Sequence, residues 1–171
     1  MAVLTGAYAL HVLSAALWTG ATLYVVYAVL PGGADGRLSA EAFVDGIHRL
    51  LMITRWTGLV LPATGAYLIW VLYAPLETLM TTARGWAVVA MFGLWGTMNT
   101  LIELGVFRTR RSVDDVGAVR YMIEGFPADG LRGGLTAADL AAAARPYLLA
   151  AAACAVLLLV DAALLAGGIP S

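Results

Sequence analysis

From Met1 to Ala34 the chain carries no Asp, Glu, Lys or Arg. At about 1.5 Å of rise per helical residue, about twenty such residues already cross the roughly 30 Å hydrocarbon core of a bilayer. Residues 2–30 therefore read as a membrane span, and the rest of the chain makes the same demand. It is 61% hydrophobic, with a mean hydropathy of +0.86, where soluble domains run at roughly 45–50% apolar residues. The run lacks a basic flank and is about twice the usual 7–15 residue core of a secretion signal, so we expect it to be a retained span.

Gly32, Gly33, Asp35 and Gly36 predict a break just after Pro31. Ser39 offers a cap to a second helix, with Glu41 in its first turn. Over residues 40–54, Phe43, Val44, Ile47, Leu50, Leu51 and Ile53 recur at three- and four-residue steps, interrupted by Asp45, His48, Arg49 and Arg55. That pattern predicts an amphipathic lead-in, with His48 and Arg49 at the headgroups. Residues 56–76 are uncharged, Pro62 predicts a kink, and Tyr67, Trp70 and Tyr73 crowd the far end as aromatic side chains do at headgroup depth. Arg84 opens a third span that closes on Arg108, Arg110 and Arg111. Residues 112–134, with Asp114, Asp115, Arg120, Glu124, Asp129 and Arg132, read as the only clearly aqueous stretch, a loop with one short helix. Thr136 and Asp139 have capping-box spacing at the start of a fourth helix, where Asp161 is the single charge after Pro146.

The expected fold is all-α: one membrane domain over residues 1–171, a polytopic four-helix bundle with spans near 3–30, 53–76, 85–107 and 145–167 and a cytoplasmic loop at 108–136. Arg37, Arg108, Arg110, Arg111, Arg120 and Arg132 flank the first and third connections, against Arg84 in the second. The positive-inside rule then places both termini outside the cell membrane. Leu17-Trp18-Thr19-Gly20 echoes Leu94-Trp95-Gly96-Thr97, a weak repeat that points to two tandem helical hairpins.

An ionisable group inside a span is a functional candidate with a partner to be found. His11 lies roughly 12 Å below Val3 and Asp161 about 9 Å below Gly167, so depth makes them a candidate proton-linked or transport pair. The alternative is that His11 bonds a carbonyl or hydroxyl while Asp161 meets water. Arg55 and Glu103 both fall in the inner third and are expected to form a structural ion pair. A haem held between His11 and His48 is excluded by about 28 Å of helix between His11 and the inner boundary, leaving a single-histidine haem or one completed by Met. Copper donors would be His11 with Met91 and Met98, seven residues apart on one face, although such a stripe also serves packing. Cys154, alone in an apolar run, reads as a small hydrophobe. No phosphate loop, zinc helix motif or nucleophile elbow appears, and the charge balance does not suggest nucleic acid. The partners in view are the bilayer, a cytoplasmic protein at the Arg-rich loop 108–132, and a second copy of the chain.

Leu10-His11, then Leu17-Trp18-Thr19-Gly20, Pro31 at the helix end, Arg49 and Arg55 on the second helix, and Thr64-Gly65 together resemble the copper-resistance D (CopD) family of membrane proteins over residues 5–105. A first-helix His followed by Trp-x-Gly is also similar to the HemJ-like protoporphyrinogen oxidases. The first resemblance implies copper transport or homeostasis with His11 as the working group. The second implies a haem-binding oxidoreductase, and a non-catalytic membrane scaffold subunit is the third reading.

Overall fold

A computed structural model describes residues 1–128, 131 and 134–168. Every regular element among them is helical.

Helix α1 runs Ala2–Ala34 and contains a π-helical turn, Val25–Val29. The cause is local: Leu30 N–H reaches back to Val25 O and Pro31 has no N–H to give, so the ladder widens ahead of the proline. Gly32 and Gly33 do not break this helix as their composition predicts. Both are buried inside it, and at Gly33 a side chain would overlap the Phe43 ring. The stop comes at Gly36, whose φ of +69° suits glycine. There Arg37 N–H bonds Gly32 O at 2.9 Å and Gly36 N–H bonds Gly33 O at 3.1 Å, a glycine-terminated helix end.

Helix α2, Ala40–Leu72, is one unbroken rod that joins the amphipathic lead-in to the apolar stretch. The Ser39 hydroxyl caps it, accepting from Ala42 N at 3.2 Å. Phe43, Val44, Ile47, Leu50 and Leu51 are all fully buried, as their spacing requires. A short α3, Thr78–Thr81, leads into α4, Ala83–Arg111, capped by Thr82 through Gly85 N at 3.0 Å. After α5, Ala118–Glu124, the long α6, Ala137–Gly167, starts in the expected capping box: Asp139 N donates to Thr136 Oγ1 at 3.2 Å and Thr136 N to Asp139 Oδ2 at 3.0 Å.

The long helices pack antiparallel, α1 on α2 and α4 on α6, as two hairpins. Trp18 Nε1 donates to Thr54 Oγ1 at 3.0 Å across the first pair. In the second, a Cβ on Gly105 would fall 2.6 Å from Tyr147 Cβ. The start of α1, α3 and the end of α6 thus share one end of the molecule, here the terminal end. The 35–39 turn and the α4–α6 connection share the other, the loop end. Helices α1, α4 and α6 are long and apolar enough to cross a membrane. Arg55, Pro62 and several Thr and Gly dilute the hydropathy of α2.

The core sits toward the loop end. Buried residues cluster from Val25 to Gly33, Phe43 to Leu51, Met98 to Arg110 and Ala137 to Ala155. Past Ala155 no residue of α6 is buried, and Gly85 alone is buried on α4 before Met98. The connection after α4 holds the one short helix expected of it, α5. It folds back on α2 and α4, burying Val116, Tyr121 and Phe126.

Candidate functional site

His11 sits on α1 opposite Thr64 and Gly65 of α2. Its Nδ1 lies 2.8 Å from Thr64 Oγ1, which in turn lies 2.7 Å from Val60 O. When the hydroxyl donates to the Val60 carbonyl it accepts from Nδ1–H of the imidazole, and in that tautomer Nε2 keeps the lone pair. Gly65 makes room for the ring, because a Cβ there would already touch His11 Cε1 at 3.4 Å. The Thr-Gly step thus holds and admits the histidine: one residue orients it and the next clears the space.

The expected pairing of His11 with Asp161 is not formed. Its alternative, a bond to a hydroxyl, is what His11 makes. Depth along a helix does not fix which way a side chain turns, and α6 packs chiefly on α4 rather than α1. Asp161 Oδ2 is buried without a hydrogen-bond partner, as are Trp95 Nε1 and Asn99 Oδ1, one turn apart on α4. An unpaired buried polar atom costs about 1–3 kcal/mol, so these three atoms have unused capacity for a polar guest. Met98 is fully buried in the core and Met91 half-buried. No cluster of three or more His, Cys, Asp or Glu able to hold a metal occurs among the described residues.

The densest polar network lies at the loop end. Arg55 meets Glu103 as a two-pronged pair, Nε to Oε1 at 2.9 Å and Nη2 to Oε2 at 3.3 Å. The same guanidinium donates to Met122 O at 2.9 Å and Tyr121 O at 3.3 Å, satisfying the last carbonyls of α5 and opposing the negative end of its dipole. Tyr121 O–H closes the triangle on Glu103 Oε2 at 2.8 Å. Burial, then the neighbouring Glu103 carboxylate, pushes the Tyr121 phenol well above its usual range. Arg110, also buried, holds Glu124 Oε2 at 2.6 Å and the Gly125 carbonyl, while Arg120 Nε holds Glu124 Oε1 at 2.9 Å. The two arginine bonds lower the Glu124 carboxyl.

His48 is engaged inside the fold. Its Nδ1 accepts the Phe126 N–H at 3.2 Å and so pins the far side of the fold-back. Burial, helped by Arg55, Arg110 and Arg49 against Asp45, lowers its pKa below the ordinary histidine value. Sequence reasoning found Arg55 and Glu103 but missed Tyr121, Glu124, Arg110 and the role of His48. For Arg110 a signal existed: it falls on the buried stripe Met98, Ile102, Val106, Arg110, at helical spacing.

The Arg-rich loop is correspondingly less free to dock a partner than its composition suggests. Arg110 is used internally, Arg108 donates to the Tyr147 hydroxyl, and Arg120 is bound to Glu124. Arg132 lies outside the described residues. No known protein family, curated protein or solved structure matches this chain.

Proposed function

We propose that the chain is a four-span membrane protein that takes a small solute or metal ion into the terminal end of its bundle, with His11 as the residue that meets it. The observation carrying this reading is the 2.8 Å contact that holds His11 Nδ1 against Thr64 in the half of the molecule where packing is thinnest; in the tautomer that donates through Nδ1, Nε2 offers its lone pair. Helix α2 is read as the fourth crossing, since it lies antiparallel to α1 and α4 along the length where those helices would traverse lipid. By the arginine distribution the terminal end faces outward, so the solute approaches from outside while α5 and Phe126 close the loop end. Copper in its soft, singly charged state suits an imidazole donor and is the solute the family resemblance implies.

The test is His11→Ala together with Thr64→Val, the second leaving the imidazole present but unoriented. Both variants should reach the membrane and lose copper-dependent growth or uptake, His11→Ala completely and Thr64→Val in part; unchanged uptake in His11→Ala rejects the reading. A HemJ-like oxidoreductase is the second reading, because the same free nitrogen is what an axial haem ligand requires. A Soret band after haem supplementation, lost in His11→Ala, would favour it over transport.

A further inference from the structure

Helix α5 presents two unlike faces. Tyr121 turns inward to Glu103, whereas Val119, Met122 and Ile123, at helical spacing on the opposite side, are 76%, 60% and 79% exposed. Apolar side chains grouped this way on a short helix mark a contact surface. What covers them follows from what they adjoin. Arg55 bonds the Met122 carbonyl, and a Cβ on Gly125 would touch the Met52 methyl, so the end of α5 meets α2 at Met52 and Arg55. Met52, Trp56 and Leu59 are themselves exposed and continue along α2 into its apolar stretch. The α5 triad therefore continues the exposed apolar side of α2, where Trp56, next along the chain from the Arg55 that holds α5, is the kind of side chain that settles at the headgroup boundary.

We infer that α5 is an interfacial helix that lies in the bilayer surface at the loop end and seats Val119, Met122 and Ile123 among the upper acyl segments. Arg55 and Arg110 fix its inner side to the bundle; the lipid receives its outer side, as with amphipathic helices that lie in the membrane plane. This rests on the membrane reading above, and goes beyond it in assigning the connection after α4 to the interface instead of the aqueous phase.

The experiment places an environment-sensitive fluorophore on single cysteines of the full chain in a Cys154→Ala background. The chain is reconstituted in phosphatidylcholine vesicles containing phosphatidylglycerol. Ile123→Cys and, as an independent repeat, Val119→Cys report on α5; Leu59→Cys reports on the lipid-facing belt and Asp115→Cys on exposed solvent. The expected result is several-fold stronger quenching of the two α5 probes by a nitroxide near the acyl-chain head than by aqueous iodide, with the Asp115 probe showing the reverse. Iodide quenching at Ile123 and Val119 equal to that at Asp115, with Leu59 still quenched by nitroxide, overturns the inference alone. Shielding of the α5 probes from both quenchers also overturns it, in favour of a protein contact such as a second copy. A Leu59 probe open to iodide and untouched by nitroxide overturns the membrane reading itself.

Discussion

Removing either half of the Arg55–Glu103 pair should destabilise the bundle far more than removing both. The two side chains are 20% and 24% exposed, and among the described residues no other charged group forms an ion pair with either. Arg55→Met strands the Glu103 carboxylate and leaves the Tyr121 and Met122 carbonyls without their guanidinium. Losses of this type run at about 3–5 kcal/mol; the exposure favours the lower figure, which at ~1.4 kcal/mol per decade is about a hundredfold in the unfolding equilibrium. Glu103→Leu should cost a similar amount by stranding Arg55. The double variant removes both charges and places apolar atoms in an apolar setting. It still loses the bonds from Arg55 to α5 and from Tyr121 O–H to Glu103, so it should retain a deficit of about 1–2 kcal/mol. The assay is reversible unfolding in mixed micelles, followed by ellipticity, with the four members of the cycle measured side by side. A double variant that costs the sum of the two singles would refute the argument, because it would mean that the two residues contribute independently.

Gly105→Ala should lower stability by about 1–3 kcal/mol in the same assay, because the new methyl meets Tyr147 Cβ, which cannot swing aside. Gly96→Ala, with open space at its Cβ, should stay within about 0.5 kcal/mol of the parent. His48 should make the docking of the fold-back sensitive to acid. Its pKa is lower folded than unfolded, so its contribution is intact above about 6.5 and is lost as pH falls below that value toward the folded pKa. Protonation also removes the lone pair that accepts Phe126 N–H. Hydrogen exchange at the Phe126 amide, corrected for its intrinsic pH dependence, should accelerate below about pH 6.5, and His48→Gln should flatten that profile.

What was legible in the sequence depended on how far each inference had to reach. Ser39 and Thr136 cap as read because a cap is decided within four residues. The stripe from Phe43 to Leu51 buries as read because helical spacing alone puts those residues on one side. Arg55 and Glu103 were paired from depth, and depth sufficed because each is long enough to search for the other. His11 and Asp161 failed on the same logic, since a short imidazole and a shorter carboxylate need the right azimuth as well as the right level. Gly32 and Gly33 were read as breakers from a local habit of glycine. Phe43, ten residues on, needs the missing side chain of Gly33, and that is a tertiary fact. The fold-back of α5 was hidden for a related reason: its charges look solvated until Arg110, on the neighbouring helix, supplies the partner for Glu124.

The uneven packing of the bundle has a source in the composition of α6, and that source bears on where a solute could enter. In lipid, helices are held together by close approach and polar bonds rather than by escape from water. From Ala141 to Ala155 the inward side of α6 is nearly all alanine, buried at Ala141, Ala144, Ala151, Ala152 and Ala155, so α4 can come near enough for Gly105 to touch Tyr147. Beyond Ala155 the chain turns to Val156, Leu157, Leu159, Val160 and Leu164, all exposed, and burial ends. Asp161 falls in that second half, with one carboxylate oxygen unpaired. His11, on the opposite hairpin, lies at the same end. Replacing Leu157 and Leu164 by Ala tests whether bulk is what keeps the helices apart. If it is, the terminal half of α6 should close on α4, and a cysteine at Asp161 should react more slowly with a water-soluble maleimide than in a chain with both leucines. Equal or faster labelling would show that the separation has another cause, and that the alanine run does not set where the bundle opens.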